Sequence, residues 1–145
     1  MKIAILGLGE AGSRFANDLA EKGHQIWGYD PNPTYKLHPD VQLVSSNPEA
    51  VSYADVIFSV NLSSASLEIA QEIASVAKPD QFFCEMNTSG PQKKMAIAKI
   101  LAPTQIKVID LAIMAPVPPK GILTPFLAAG EYASDFLDFV KHLNL

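Results

Sequence analysis

The sequence has 145 residues, of which 48% are hydrophobic and 18% charged, with a net charge of -4 at pH 7. At about 150 residues per domain, this length predicts one domain over residues 1–145 with a single core. The composition excludes a disordered or collagen-like chain, and the negative charge argues against nucleic acid or an anionic membrane surface as a partner.

The single cysteine, Cys84, has no second thiol for an intramolecular disulfide, and its apolar neighbours favour a buried structural thiol. Charged residues such as Glu10 and Arg14 interrupt the apolar start of the chain early. No run approaches the about 18 apolar residues of a membrane span, so we expect a cytoplasmic protein without a membrane partner.

Short apolar runs alternate with segments of helical period, and this pattern predicts an α/β fold of the Rossmann type. The sheet is expected to be doubly wound, mostly parallel and covered by helices on both faces. The predicted strands span residues 2–6, 25–29, 41–44, 56–60, 82–86 and 107–112.

Helical periodicity and capping signals predict helices over residues 11–22, 64–77 and 92–101, and a short one that begins at Asn47. In the short helix, Asn47 is the expected N-cap and Pro48 the first helical residue. The serines of residues 63–66 most simply cap the next helix, and Pro91 is expected to open the one after it.

The last third of the chain carries weaker signals. Residues 114–121 contain three prolines and predict a loop without a helix, followed by an edge strand over 122–128 that includes Pro125. Residues 131–145 predict an amphipathic helix whose apolar face consists of Tyr132, Phe136, Phe139, Val140 and Leu143.

A glycine-rich motif lies where the first strand meets the first helix. Residues 7–12 match GxGxxG in the order Gly7, Leu8, Gly9, Glu10, Ala11, Gly12. The first glycine permits a tight turn, the second lets the backbone approach a pyrophosphate, and the third allows close packing of helix and strand. The motif predicts a dinucleotide site at the start of the helix.

An acidic residue, Asp30, follows the second predicted strand 18 residues after Gly12. A carboxylate at this position accepts hydrogen bonds from the adenosine ribose and repels a 2′-phosphate. NAD is therefore expected as the cofactor, and NADP less so. The alternative is a glycine-rich turn with an incidental aspartate and no nucleotide.

Four segments resemble the β-hydroxyacid dehydrogenases and the related 6-phosphogluconate dehydrogenases, specifically their N-terminal NAD-binding domain and a poorly characterised branch. The similar segments are residues 5–12 with 20–24, residues 55–60, residues 85–91, and residues 109–114 with 121–124 and Gly130. The resemblance implies that Val60, Asn61, Leu62 and Thr88 lie along the nicotinamide half of the cofactor. It also implies hydride transfer between nicotinamide and a small hydroxy acid, and a homodimer.

Two departures from the family pattern affect the substrate side. The family's Ser-Gly-Gly segment is replaced by Met114, Ala115 and Pro116. Met114, Ala115 and the basic Lys120 are the candidate substrate contacts, and the alternative for Lys120 is a solvated loop lysine. The family's catalytic lysine lies on the helix that begins an all-helical C-terminal domain, which we expect to be absent here. No catalytic residue is therefore predicted, and this chain alone is expected to be inactive.

Other chemistries find little support. The three histidines His24, His38 and His142 lack metal-ligand spacing, so no metal site is predicted, and Lys93 and Lys94 are expected to be solvent-exposed. A non-catalytic nucleotide-binding or redox-sensing module remains an alternative, as does a methyltransferase that uses S-adenosylmethionine. Without a second domain, residues 136–145 are expected to expose apolar surface or to cover it by self-association.

Overall fold

A seven-stranded sheet forms the centre of the computed structural model, which describes residues 1–141. The strands are β1 (Lys2–Leu6), β2 (Gln25–Tyr29), β3 (Val41–Leu43), β4 (Val56–Ser59), β5 (Phe82–Glu85), β6 (Lys107–Ile113) and β7 (Phe126–Ala129). Their order is β3-β2-β1-β4-β5-β6-β7, and β7 alone pairs antiparallel. The strand order reverses between β1 and β4, which creates the crevice where ligands bind in such sheets.

Helices cover both faces of this sheet, as predicted. They are α1 (Glu10–Glu21), α2 (Asn47–Tyr53), α3 (Ser66–Ile73), α4 (Pro91–Leu101), the single turn α5 (Val117–Lys120) and α6 (Ala133–Val140). One core cluster packs α1, α5 and α6 against the sheet, and a second packs α2, α3 and α4 against the opposite face. The alternation of side chains along each strand supplies both clusters.

The predicted strands agree with the observed ones to within one residue for β1 to β6. The predicted N-cap of α2, Asn47, was wrong. The N-cap is Ser46, because its extended backbone lets its Oγ accept the N–H of Glu49 at 3.2 Å. Asn47 is instead the first residue of the helix, and its side chain is free to face another element.

Helix α3 is shorter than the predicted span of residues 64–77. Its N-cap is Ala65, which has no capping side chain, and the Ser66 hydroxyl donates to the carbonyl of Ser63 instead. The serine-capping interpretation was therefore wrong. Helix α4 begins at Pro91, as expected from a proline in the first helical turn.

The chain after β6 differs from the sequence prediction. The proline loop contains the turn α5, which is interrupted at Pro118, and residues 121–123 form a 3-10 turn instead of the start of a strand. Asp18 Oδ2 accepts the N–H of Ile122 at 2.9 Å and so holds this turn on α1. Strand β7 begins only after Pro125 and lies at the sheet edge, as predicted.

Helix α6 begins at Ala133, two residues later than expected. Its predicted apolar face is confirmed at Phe136 and Val140, which are buried, whereas Phe139 is half-exposed. The predicted continuation to 145, including His142 and Leu143, lies outside the described residues. Cys84 is buried in β5 as predicted, and burial raises the pKa of its thiol.

Candidate functional site

The turn from β1 into α1 requires glycine at two of its three glycine positions. Gly7 has a φ of +97°, and a Cβ there would lie 2.3 Å from the carbonyl oxygen of Val60. A Cβ on Gly12 would lie 1.9 Å from the oxygen of Gly7. By contrast, a Cβ on Gly9 would meet nothing within 4 Å, so the backbone there faces open space. This is where a phosphate group can approach.

The N-terminus of α1 begins at this open position. Gly9 is the N-cap and provides no side-chain cap, so the first amide groups of the helix are available to an anionic ligand. Glu10 and Ala11 follow in the first turn. The helix has 12 residues, so its dipole favours negative charge at this end.

Asp30 follows β2 and fastens the glycine turn. Its Oδ2 accepts the N–H of Leu8 at 2.8 Å, and its Oδ1 accepts the N–H of Asn32 at 2.8 Å. A carboxylate has about four acceptor positions, so both oxygens keep capacity for a ribose hydroxyl. The carboxylate is thus oriented by the protein before any ligand binds.

A cavity of about 570 Å³ brings most of the predicted cofactor residues together. The predicted cofactor residues that line it are Gly7, Gly9, Glu10, Ala11, Gly12, Asp30, Val60, Asn61 and Leu62. Leu8 is not in the lining, because its side chain is buried in the core against Gly28. Thr88 is not in the lining either.

The cavity also has a wall that the sequence analysis missed. Asn47 from α2, and Ala65, Glu68, Ile69 and Glu72 from the start and body of α3, line it beside Tyr29 and Pro31. These helix residues were interpreted only as structural. The signal available in the sequence was their place directly after β3 and β4, at the carboxyl edge of the sheet.

A network of buried polar side chains supports the segment after β4. The N–H of Asn61 donates to Asn87 Oδ1 at 2.6 Å, and Asn87 Nδ2 donates to Glu85 Oε1 at 2.6 Å. Asn61 Nδ2 donates to Ser59 Oγ at 2.9 Å. Because Val60 and Asn61 abut Gly7, the network fixes one wall of the cavity.

Lys94 is part of a charge cluster rather than a solvated lysine. Its Nζ lies 3.3 Å from Glu85 Oε2 and binds Asp110 Oδ1, and its side chain is 18% exposed. Burial alone lowers the pKa of Lys94, but the bond to Asp110 and the charges of both carboxylates outweigh it and raise the pKa. Lys93 donates to the carbonyl of Ser63 at 2.8 Å. The expected exposure of both lysines was wrong.

A second cavity, of about 590 Å³, lies on the face of the sheet that α4 covers. The charge cluster lines it together with apolar residues that include Met95, Ala98 and Tyr132. It contains no residue of the glycine turn. The cavity beside Gly9, where free amides and Asp30 converge, is therefore the candidate nucleotide cavity.

The candidate substrate residues follow β6 at the same edge of the sheet as the glycine turn. Met114 and Lys120 are exposed and Ala115 is half-buried. None of the three lines the nucleotide cavity.

Among residues 1–141, no group of three or more histidine, cysteine, aspartate or glutamate side chains is placed to hold a metal ion. None of the helices in this part of the chain has the length and apolarity needed to cross a membrane.

A family model described as the NAD binding domain of 6-phosphogluconate dehydrogenase matches residues 2–117. Among curated relatives, a glycerol-3-phosphate dehydrogenase [NAD(P)+] of Lactiplantibacillus plantarum is 34% identical over 92 residues, covering 52% of this chain and 27% of that protein. A probable 3-hydroxyisobutyrate dehydrogenase of Mycobacterium bovis is 31% identical over 90 residues, covering 59% of this chain and 31% of that protein.

Solved structures share the fold over nearly the whole chain. A conserved hypothetical protein from Sinorhizobium meliloti 1021 matches with a TM-score of 0.87 and 25% identity, covering 99% of this chain and 51% of that one. The 3-hydroxyisobutyrate dehydrogenase of Mycobacterium tuberculosis matches with a TM-score of 0.80 and 22% identity, covering 98% of this chain and 51% of that one. The match thus spans about half of these structures and under a third of the curated relatives. The family match favours the NAD-binding domain of a dehydrogenase over the methyltransferase and the non-catalytic module.

Proposed function

Because the chain belongs to the family of NAD-binding domains of 6-phosphogluconate dehydrogenase, we propose that it is the cofactor-binding part of an oxidoreductase that acts on a small hydroxy acid. The cofactor is of the NAD(P) type. The nicotinamide, when bound, supplies a hydride acceptor or donor, and the residues of this chain bind and orient it.

The observation that carries the proposal is the convergence of three features on one cavity. The open backbone at Gly9 admits a phosphate, the first amides of α1 face it, and Asp30 is fixed beside the same turn. These features fit a dinucleotide whose pyrophosphate lies on the helix N-terminus and whose adenosine ribose meets Asp30. The remaining predicted contacts, Val60, Asn61, Leu62 and Thr88, would follow toward the nicotinamide.

The charges of the cavity favour NAD over NADP. The charged side chains in its lining are Glu10, Asp30, Glu68 and Glu72, and neither lysine nor arginine lines it among the described residues. A 2′-phosphate on the adenosine ribose would meet this negative surface without a compensating cation. We therefore expect a preference for NADH over NADPH.

The substrate side is proposed at the carboxyl end of β6. Met114, Ala115 and Lys120 lie there, and Lys120 is the positive charge that would attract a carboxylate. No residue of this chain is assigned a catalytic role. Leu123 and Leu137 are exposed and line one apolar cavity with Pro125 and Phe126, and we propose that a second copy covers this surface in a homodimer.

Calorimetric titration of the 145-residue chain with NADH, and separately with NADPH, tests the cofactor proposal. We expect NADH to bind more tightly, and the preference to be lost in Asp30→Ala. Glu21→Ala, an exposed residue of α1 outside the cavity lining, is the matched control and should keep the preference. Binding of neither dinucleotide to the wild type would reject the proposal.

A further inference from the structure

The second cavity, beside helix α4, contains a charge cluster that its own residues do not balance. Two carboxylates, Glu85 and Asp110, share the single ammonium group of Lys94. We propose that this cavity binds an organic cation, a protonated amine on an apolar body, whose ammonium group pairs with Asp110. The cavity shares no lining residue with the nucleotide cavity, so the proposal stands apart from the cofactor site.

Glu85 contributes a buried acceptor without a hydrogen bond. The residue is 2% exposed, ends β5 and lines the cavity. Its Oε1 accepts from Asn87 Nδ2 at 2.6 Å, whereas its Oε2 accepts no hydrogen bond among residues 1–141. Lys94 Nζ lies 3.3 Å from Oε2 but does not have the geometry of a hydrogen bond to it. A buried carboxylate oxygen without a donor is costly, so a rearrangement that provides a donor is favoured.

Asp110 competes with Glu85 for the lysine. The register of β5 and β6 pairs the two residues, so both side chains point to the same face of the sheet. Lys94 Nζ reaches them from α4 and donates to Asp110 Oδ1. The Asp110 side chain is 42% exposed, and its Oδ2 makes no hydrogen bond within the described part of the chain. Asp110 therefore offers an acceptor to a ligand in the cavity.

An ammonium group in the cavity completes both pairs. When it donates to Asp110, Lys94 is released and can donate to Glu85 Oε2 instead. Each carboxylate then has its own cation, which offsets the cost of the buried charge on Glu85. A neutral ligand leaves the excess negative charge unchanged, and an anionic ligand adds to it. The cluster therefore selects a cation over both.

The rest of the cavity fits an apolar body attached to the ammonium group. Its volume is about 590 Å³, which is in the range of small-molecule sites. The apolar lining residues come from α4, from β6 with the residues before it, and from β7, and they are Met95, Ala98, Ala102, Ile106, Val108 and Ala129. Three carboxylates line the cavity, since Glu131 joins the two of the cluster, whereas Lys94 is the single cation among the described lining residues.

The test compares three probes that share an indole ring and differ in the terminal group. Tryptamine carries an ammonium group, tryptophol a hydroxyl group and indole-3-acetate a carboxylate. NMR titration of the 15N-labelled wild-type chain at pH 7 should show tryptamine binding about tenfold more tightly than tryptophol, as for one charge-assisted hydrogen bond. Indole-3-acetate should bind most weakly. In Asp110→Asn the ratio of tryptamine to tryptophol affinity should fall to about one, because Lys94 then balances Glu85 alone.

Asp80→Asn is the matched control, since it makes the same substitution at an exposed turn outside both cavities and should keep the wild-type ratio. Glu68→Gln removes a negative charge from the nucleotide cavity, which could also attract a cation, and should keep the ratio as well. Ala98→Phe places a ring in the α4 wall, leaves the charge cluster intact and should weaken tryptamine binding at least tenfold. Circular dichroism confirms that each variant is folded before titration.

The amide signals of the same titration locate the amine. Shifts at Ala98 and Ala129, with none at Gly9, are expected. Equal binding of tryptamine and tryptophol by the wild type, or binding of neither, would overturn the proposal. A ratio that survives in Asp110→Asn or falls in Glu68→Gln would also overturn it, because the ammonium group would then lie elsewhere. None of these outcomes depends on NADH, so the test is independent of the cofactor proposal.

Discussion

Asn61 and Asn87, which follow neighbouring parallel strands, are joined by a hydrogen bond of 2.6 Å from the Asn61 N–H to Asn87 Oδ1. Asn87 Nδ2 donates in return to Asn61 Oδ1 at 3.2 Å and to Glu85 Oε1 at 2.6 Å. One side chain thus ties the end of β4 to the end of β5. The wall of the cavity beside Gly7 depends on this bond.

Asn87→Ala is expected to destabilise the protein by about 1–3 kcal/mol, because it leaves the Asn61 N–H without its acceptor and removes the shorter of the two hydrogen bonds to the buried Glu85 Oε1. Urea denaturation followed by circular dichroism measures the change. Asn32→Ala, at an exposed turn, should change the unfolding free energy by less than about 0.5 kcal/mol. Equal stability of the two variants would show that the Asn61–Asn87 bond is not structural.

Lys94→Met is expected to cost about 3 kcal/mol or more, because it leaves the charge of the buried Glu85 uncompensated. Adding Glu85→Gln to that variant should recover part of the loss, since the neutral side chain can still accept from Asn87. Denaturation curves of the single and double variants form the test. A double variant less stable than the single one would contradict the charge argument. Lys99→Met, exposed on the same helix, should be near neutral.

The strands and the glycine turn were predictable because their signals are local. Apolar runs define the strands, and the spacing of Gly7, Gly9 and Gly12 defines the turn. The boundaries after β6 were wrong because a tertiary bond, from Ile122 to Asp18, decides where the 3-10 turn lies.

The polar clusters could not be predicted in the same way. Asn47 meets Glu72 across 25 positions of sequence, and Lys94 meets Asp110 across 16. The charge cluster further depends on the register that places Glu85 beside Asp110 in adjacent strands. Neither helix packing nor strand register is encoded by a short motif.

His24 gives the stability a dependence on pH near neutrality. Burial lowers the pKa of His24 below 6.5, and the charges of the N-terminal amine and Lys22 lower it further. The unfolded chain therefore binds the proton more readily, so the contribution is present above pH 6.5 and is lost as the pH falls through the folded pKa. The sign is that of a histidine kept neutral by folding.

We accordingly expect the wild type to lose more stability than His24→Gln when the pH is lowered from about 7 to 5. Urea denaturation at several pH values measures this difference, and the NMR titration of the His24 ring protons gives the pKa directly. A wild type that gains stability relative to the variant on acidification would reverse the sign and reject the assignment.

Gly7 and Gly9 should separate folding from binding. Gly7→Ala places a Cβ 2.3 Å from the oxygen of Val60 at a φ of +97°, so we expect a loss of more than about 1 kcal/mol in unfolding free energy. Gly9 has a φ of -67°, and a Cβ there would have no atom within 4 Å, so the stability of Gly9→Ala should stay within about 0.5 kcal/mol of the wild type.

The same Cβ points into the space where a pyrophosphate would lie, so NADH affinity should fall at least tenfold in Gly9→Ala. Denaturation and calorimetry on the two variants provide the measurements. If Gly9→Ala bound NADH as tightly as the wild type, the phosphates would have to lie elsewhere than on the N-terminus of α1.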